Sequence, residues 1–235
     1  VYKRQAIDRQ IEEVDALCRY VQGKRRSKRR AFLSFDEWNV WYKNYEMEGK
    51  GQFAPHLVEE VYNLEDALVV SGFLNSFLRH ADSVKIANLA QIVNVIAPLL
   101  TRGDELLQQS IYHAIALYAH RRTGRALRVA VEGPSYASPS YGTVNYLDAS
   151  AILDGKKLHV FATNRSLEET MDLTLAVAGA EVARQVDAEI VTGADPKATN
   201  TFEHPDRVTR QPFGENLDPH LLGTPARYKG ITGLG

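Results

Sequence analysis

The chain has 235 residues, of which 44% are hydrophobic, 24% charged and 9% aromatic. These fractions are those of an ordinary globular protein, and they exclude collagen-like, low-complexity and strongly disordered chains. The 28 basic and 29 acidic residues leave a net charge of −1, which provides no overall attraction to nucleic acid or to an anionic membrane. The single cysteine, Cys18, excludes an intramolecular disulfide.

The apolar runs of the sequence are short. No stretch of about 18 apolar residues occurs, so no transmembrane helix is expected. The first residues, Val-Tyr-Lys-Arg-Gln-Ala, lack the apolar core of a signal peptide. We therefore expect a cytoplasmic protein. Because the chain has no initiator Met and enters a helical pattern almost at once, we also expect it to begin inside a larger protein.

The first half of the sequence predicts alternating helices and strands. In chain order, the expected elements are an amphipathic helix over 7–21, a strand over 31–35, a helix that begins after Asn63, a strand over 84–90 and a helix over 110–121. Ile7, Ile11, Val14, Leu17, Cys18 and Val21 form the buried stripe expected for the first helix. Asn63 and Asp66 have nearly the spacing of a capping box. The alternation is typical of a parallel α/β arrangement.

The pattern changes near Gly124 to short alternating strands, which favours an antiparallel sandwich. The candidate strands are 127–131, 144–153, 157–162, 171–177 and 182–191. Asp154-Gly155 is a typical hairpin turn between two of them. From residue 214 glycines and prolines interrupt every pattern, which predicts an irregular tail. The expected divisions are therefore 1–123, 124–213 and 214–235.

The densest chemical signal lies where the first predicted strand ends. Asp36 and Glu37 follow the apolar strand directly, and Asn39 and both tryptophans, Trp38 and Trp41, come next. In barrels and open α/β sheets, sites are built at the C-terminal ends of strands. A carboxylate beside indole rings suits a sugar, because the carboxylate supplies charge or a nucleophile while the rings stack on C–H surfaces. From the pattern alone, a loop-capping acidic pair with tryptophans in the core is an equally weighted alternative.

Three segments of the sequence resemble the α-L-arabinofuranosidases of glycoside hydrolase family 51. The segment 34–42, Ser-Phe-Asp-Glu-Trp-Asn-Val-Trp-Tyr, resembles the nucleophile motif of that family. The likeness continues through 54–67 and 85–98, and extends less sharply to about residue 210. The resemblance therefore covers most of the chain and rests on long motifs.

The resemblance implies a fold and a chemistry. The fold is the C-terminal part of a (β/α)8 barrel, with residues 31–36 as its seventh strand, followed by a β-sandwich of the jelly-roll type. The implied reaction removes terminal α-L-arabinofuranosyl groups from arabinose-containing polysaccharides or oligosaccharides with retention of configuration. By this resemblance Glu37 is the nucleophile, and Trp41 and Gln91 line the arabinose cleft. We expect Asp36 and Asn39 to hold the end of the strand in place at this site.

The second carboxyl group that retention needs is missing from the expected position. In the family it follows an Asn at the end of the fourth barrel strand, and the chain has no such strand-embedded Asn-Glu pair. Glu215 precedes Asn216 in the predicted tail, in the reverse order. We therefore expect the acid/base Glu to lie upstream of Val1, and the 235-residue chain alone to be inactive. The two-carboxylate mechanism needs only water, so no cofactor and no metal are expected.

Other interpretations of the chain remain open. The first is a non-catalytic carbohydrate-binding sandwich, residues 125–213, attached to a vestigial barrel piece. The second is an oligomerisation role for the sandwich, and a homo-oligomer is expected from the family resemblance. The basic run 24–30 raises nucleic-acid binding, but it lies at a helix C-terminus, lacks interleaved aromatics and belongs to a chain without net positive charge. We therefore expect neither nucleic acid nor a membrane as a partner.

Overall fold

The computed structural model describes residues 3–42, 51–53, 59–179, 187–213 and 226–231. The helices are α1 (Lys3–Lys24), α2 (Leu64–Arg79) and α3 (Ser110–Ala119). The strands of the first half are β1 (Leu33–Trp38), β2 (Val84–Leu89), β3 (Leu99–Arg102) and β4 (Glu105–Gln108). Those that follow are β5 (Arg125–Leu127), β6 (Ser135–Ser138), β7 (Gly142–Asn145), β8 (Leu147–Asp154), β9 (Lys157–Asn164), β10 (Met171–Leu175), β11 (Glu189–Val191), β12 (Arg210–Pro212) and β13 (Ala226–Ile231).

The first half is a βαβα unit preceded by a helix, as its sequence predicts. Strands β1 and β2 pair in parallel, and α2 connects them. The predicted capping box is present, since the Asn63 side chain accepts from the backbone N–H of Asp66 and the Asp66 carboxylate accepts from that of Asn63. One face of β1 packs on α2, where the ring of Phe35 lies 5.1 Å from that of Phe77. The opposite face of the two strands is exposed.

The buried stripe of α1 is shorter than the sequence predicts. Ile7 and Ile11 are buried at 8% and 1% exposure, but Val14, Leu17 and Val21 are exposed at 40%, 63% and 50%. The prediction was wrong for these three residues because, among the described residues, α1 packs on α2 mainly through its N-terminal half.

A short hairpin, missed in the sequence, separates β2 from α3. Strands β3 and β4 pair in antiparallel register from Leu99–Gln108 to Arg102–Glu105. The turn residues are Gly103 and Asp104, and Gly103 has a φ of 58°. A Gly-Asp pair between two apolar pairs is a hairpin signal, but four-residue strands are too short to show a clear period.

The second half consists of antiparallel strands in small sheets. Strands β5, β8 and β9 form a three-stranded sheet, and the pairs β6–β7, β10–β13 and β11–β12 form two-stranded ones. The predicted hairpin is present, with Gly155 and Lys156 as its turn residues. Two boundaries differ from the prediction. Strand β5 ends at Leu127, and the predicted strand 144–153 is interrupted at Tyr146.

The prediction of an irregular tail over 214–235 is wrong for the six residues of β13. Strand β13 pairs with β10 in antiparallel register, from Met171–Ile231 to Leu175–Ala226. Its sequence contains Gly230 and follows Pro225, which conceal the strand pattern. The rest of 214–235, including Glu215 and Asn216, lies outside the described residues, as does the first half of the predicted strand 182–191, of which the structure contains β11 at its end. None of the described helices is both long and apolar enough to cross a membrane.

The helices of the first half pack directly on the central antiparallel sheet. The ring of Tyr118 in α3 stacks on that of Phe161 in β9, with centroids 4.2 Å apart and an interplanar angle of 11°. Both rings belong to a buried cluster that includes Ile152 of β8. The change from helices to antiparallel strands follows α3, near Gly124.

Candidate functional site

The end of β1 carries a bulge with Glu37 as the extra residue. Asp36 pairs with Asn88, and the next pair is Trp38 with Leu89, so Glu37 has no counterpart on β2. The φ of Glu37 is 57°, in the left-handed region that residues other than glycine seldom adopt. Bulges re-aim side chains and are common beside active sites. The local backbone therefore presents the exposed Glu37 side chain at the C-terminal end of a strand, where a site is expected.

The Asp36 carboxylate is held by two neighbouring side chains. Its Oδ1 accepts from Asn88 Nδ2 at 2.5 Å and from Ser34 Oγ at 3.0 Å, and its Oδ2 lies 2.9 Å from the same hydroxyl. Ser34, Asp36 and Asn88 are all exposed and lie on the face of β1 and β2 that does not pack on α2. In a closed barrel, the face of the sheet opposite the helices lines the interior.

Asn39 fastens the segment after β1 to the segment after β2. Its Nδ2 donates to the carbonyl of Ile96 at 2.7 Å, and its Oδ1 accepts from the backbone N–H of Val40 at 2.8 Å. The carbonyl of Val40 in turn accepts from the buried hydroxyl of Tyr62 at 2.9 Å. The ends of the two parallel strands are therefore joined by side-chain as well as ladder hydrogen bonds.

The two tryptophans have different environments. Trp38 is 6% exposed and contacts Phe73 and Phe77 edge-on, with ring centroids 6.0 and 5.1 Å apart. Trp38 therefore belongs to the core, which is the alternative interpretation of the motif for this residue. Trp41 is 44% exposed, so part of its side chain lies at the protein surface after the bulge.

Gln91 follows β2 in a compact loop beside the bulge. The backbone N–H of Ala90 donates to the carbonyl of Trp38 at 3.1 Å, which places Gln91 next to the end of β1. Gln91 is exposed and has a φ of 64°. Asn94 has the same φ, and its side-chain oxygen accepts from the backbone N–H of Thr101 at 2.8 Å. Two left-handed residues within four positions indicate a loop whose shape is stabilised by its surroundings.

Tyr42 connects the segment after the bulge to the residues at the start of α2. Its hydroxyl donates to Asp66 Oδ1 at 2.7 Å, and its backbone N–H donates to Glu60 Oε1 at 3.1 Å. Burial and the neighbouring Asp66 carboxylate raise the pKa of Tyr42 well above its ordinary value. Tyr42 therefore stays a neutral donor and links the site segment to the N-terminus of α2.

The five residues expected at the site lie at adjacent strand ends. Asp36, Glu37, Asn39 and Trp41 follow one another at the end of β1, and Gln91 follows β2. The sequence analysis missed Asn88, although a polar residue one position before the end of β2 was a usable signal. The described part of the chain contains no group of three His, Cys, Asp or Glu side chains that could hold a metal ion.

Comparison with protein families gives a match over most of the chain. The family model described as the α-L-arabinofuranosidase C-terminal domain matches residues 36–222. An intracellular exo-α-(1→5)-L-arabinofuranosidase of Streptomyces lividans is 38% identical over 208 residues, covering 86% of this chain and 31% of the relative. The intracellular exo-α-(1→5)-L-arabinofuranosidase 1 of Bacillus subtilis is 38% identical over 224 residues, covering 93% of this chain and 43% of the relative.

A solved structure extends the similarity to the fold. A family 51 α-L-arabinofuranosidase from Bifidobacterium longum superposes with a TM-score of 0.82 at 27% identity, covering 97% of this chain and 47% of that protein. The chain thus spans between about a third and a half of the length of the relatives that it matches.

Proposed function

We propose that this chain, which belongs to the α-L-arabinofuranosidases of glycoside hydrolase family 51, is the C-terminal part of a retaining enzyme with Glu37 as its nucleophile. The whole enzyme would remove terminal α-L-arabinofuranosyl groups from arabinose-containing oligosaccharides or polysaccharides. The barrel it completes would have β1 and β2 as its last two strands, and the antiparallel half would be a jelly roll. Because both curated relatives are named for α-(1→5) linkages and for an intracellular location, these are the linkage and compartment that we propose.

The proposal is carried by the bulge that presents Glu37. In a retaining mechanism an ionised carboxylate oxygen attacks the anomeric carbon, while a carboxylic acid protonates the departing glycosidic oxygen. Water then adds to the glycosyl–enzyme ester, and the second group, now a carboxylate, takes the proton from that water. The nucleophile must therefore project from a fixed backbone into the cleft. A left-handed residue between two paired positions of β1 meets this requirement.

The contacts also favour Glu37 over its neighbour Asp36 as the nucleophile. Both oxygens of Asp36 lie within 3.0 Å of donors from Ser34 or Asn88. Among the described residues, no side chain or backbone group donates a hydrogen bond to the carboxylate of Glu37. These contacts direct the Asp36 carboxylate along β1 and across to β2, away from an attack on the sugar. Glu37 is not tied to the neighbouring strand in this way, so we assign the attack to Glu37 and a supporting position to Asp36.

The remaining site residues are proposed to bind the sugar or to shape its cleft. Trp41 offers an exposed ring, and the amide of Gln91 offers both a donor and an acceptor for sugar hydroxyls. Asn39 uses its amide to join the two strand ends, so its contribution is to the shape of the cleft. The acid/base Glu would come from the part of the whole enzyme that corresponds to the unmatched portion of the relatives. Its carboxyl group would lie about 5–5.5 Å from that of Glu37.

A fusion protein tests the proposal. The preceding part of the Bacillus subtilis relative is joined to this chain, and the product is assayed with 4-nitrophenyl α-L-arabinofuranoside and an α-(1→5)-linked arabinobiose. The 235-residue chain alone is expected to be inactive on both. In the fusion, Glu37→Gln is expected to lower kcat by about 10³-fold or more, whereas the exposed and distant Glu168→Gln leaves kcat unchanged.

Covalent trapping identifies the nucleophile directly. A 2-fluoro-arabinofuranosyl inhibitor should label the tryptic peptide 31–43, and fragmentation should place the label on Glu37, since the peptide also contains Asp36. A label on another peptide, or full turnover by Glu37→Gln, would refute the assignment. Of these two outcomes, full turnover by Glu37→Gln would favour the alternative in which the chain is a non-catalytic carbohydrate-binding sandwich. Gel filtration with light scattering of the same fusion would test the expected homo-oligomer.

A further inference from the structure

The last regular pair before the bulge joins two polar side chains. Asp36 and Asn88 are directly opposite each other on the parallel strands, and Asn88 Nδ2 lies 2.5 Å from Asp36 Oδ1. The hydroxyl of Ser34, two residues earlier on the same face of β1, reaches both oxygens of that carboxylate. The three side chains form a cross-strand contact immediately below Glu37.

The next fixed point of the backbone lies on the other side of the bulge. The Trp38 ring is buried against α2, and the Trp38 carbonyl accepts from the backbone N–H of Ala90 at 3.1 Å. Glu37 is thus bracketed by one polar cross-strand contact and by one buried side chain. A left-handed conformation costs a residue other than glycine about 1–2 kcal/mol, and it persists only where the flanking structure imposes it.

Removing the Trp38 side chain and removing the Asp36–Asn88 contact are expected to have different consequences. The Trp38 anchor depends on packing against a whole helix, and its removal would disturb the core. The Asp36–Asn88 contact lies on the face of the strands that points away from α2, and neither residue belongs to the core cluster that holds Trp38. Its effect would therefore be local, on the bulge and on the direction of the Glu37 side chain.

We infer that Asn88 is a positioning residue, which acts through Asp36 to hold the bulge that presents Glu37; this inference rests on the proposed function. Asn88 supplies a neutral donor, so Asp36 remains an acceptor that points across to β2. With Asp36 held in this way, Glu37 is the acidic side chain of the pair that faces the anomeric carbon. The bond-making step is unchanged, and Asn88 does not contact the sugar in it.

A charge exchange across the two strands tests the inference in the fusion enzyme. Asn88→Asp places two carboxylates opposite each other, and we expect kcat to fall by about 10²-fold while KM changes less than about threefold. Adding Asp36→Asn restores an amide–carboxylate contact with the partners exchanged. The double variant should therefore recover kcat to within about fivefold of the parent. A purely structural loss would not produce a rescue of this kind.

A second variant covers the case in which Asn88→Asp does not fold. Asn88→Ala removes the donor without adding charge and is expected to lower kcat by about tenfold with an unchanged melting temperature. Asn145→Ala, which removes one amide hydrogen bond to Val131 far from the site, is the matched control and should keep full kcat. An unchanged kcat in Asn88→Ala, or no rescue in a folded double variant, overturns the inference.

The inference and the proposed function fail in different ways. If Glu37→Gln keeps full activity, the proposed nucleophile is wrong, whatever the Asn88 variants do. The other case is that Glu37→Gln is inactive and the fluorinated inhibitor no longer labels it. If Asn88→Ala and Asn88→Asp then turn over normally, only the positioning role of Asn88 is wrong.

Discussion

Arg79 at the end of α2 donates from Nη1 to Oδ1 of Asp148 in β8 at 2.9 Å. The Asp148 side chain is only 3% exposed and that of Arg79 is 22% exposed. The second guanidinium nitrogen of Arg79 lies 3.4 Å from Asp8 on α1. One side chain therefore connects α1 and α2 to strand β8 of the three-stranded antiparallel sheet.

Replacing Asp148 by Ala should destabilise the chain by about 3 kcal/mol. The reason is that a mostly buried guanidinium loses its closest carboxylate and is not rehydrated. Urea unfolding of the 235-residue chain measures the change. Glu105→Ala is the matched control, because its ion pair with Arg102 is about half exposed on both sides and should be worth less than about 1 kcal/mol. Equal losses in the two variants would contradict the argument.

A polar network continues the connection between the two halves. The amide oxygen of the fully buried Asn75 accepts from the hydroxyls of Tyr118 at 2.9 Å and Ser150 at 2.5 Å, and its nitrogen donates to Asp148 at 3.2 Å. All four side chains of this network are buried between the helices and the sheet. Because a buried amide without partners is costly, the helical and antiparallel halves are expected to unfold in one transition.

The α/β half was predictable because each of its signals is local. The Asn63 cap and the apolar face of α2 lie within one element, and the structure contains both. The buried stripe of α1 was overestimated, since the exposure of Leu17 depends on what packs beside the helix and not on its own period. The exposed face of β1 and β2 likewise depends on pairing, which a single strand does not reveal.

The sequence predicted which residues form the candidate site, but not the backbone geometry that presents them. The family motif identified Glu37 and Gln91, but their positive φ values and the bulge follow from the register between two strands separated by more than forty residues. Asn88 became visible as a partner of Asp36 only when that register was known. Strand β13 was missed for the same reason, because its partner β10 is about fifty residues away.

Gly124 should tolerate no side chain. Its φ is 113°, and a Cβ there would lie 2.8 Å from the carbonyl carbon of Leu153 and closer still to its oxygen. Gly124→Ala is therefore expected to cost more than about 3 kcal/mol, from backbone strain plus displacement of β8. Gly155→Ala is the matched control, since Gly155 has a φ of 57° with open space around it and should cost about 1 kcal/mol. Thermal unfolding of both variants would show the difference, and a Gly124→Ala variant as stable as Gly155→Ala would disprove the close approach.

Gln109 should be a stability hot spot, although it lies outside the regular elements, at the N-cap of α3. Its side chain accepts from the backbone N–H of Tyr62 at 2.9 Å and donates to the carbonyls of Glu60 at 3.0 Å and Ala97 at 2.8 Å. Gln109→Ala leaves three buried backbone groups without partners, and we expect a loss of about 3 kcal/mol. Gln10→Ala on the exposed face of α1 should change the free energy of unfolding by less than about 0.5 kcal/mol. A loss below about 1 kcal/mol for Gln109→Ala in urea unfolding would show that water replaces these bonds.

His113 should make the chain less stable in mild acid. Burial, together with the positive charge of Arg210, lowers the pKa of His113 below its ordinary value of 6.5. Below that value the unfolded chain takes up a proton that the folded chain does not, so the free energy of unfolding falls as the pH drops from about 6.5 towards the lowered pKa. His113→Gln removes this term, and its stability should fall less than that of the parent between pH 7.5 and 5.5 in urea unfolding. His204→Gln, at an exposed position, should follow the parent. Parallel curves for the parent and His113→Gln would contradict the prediction, because they would mean that His113 binds protons equally in the folded and unfolded chains and that its pKa is not lowered by folding.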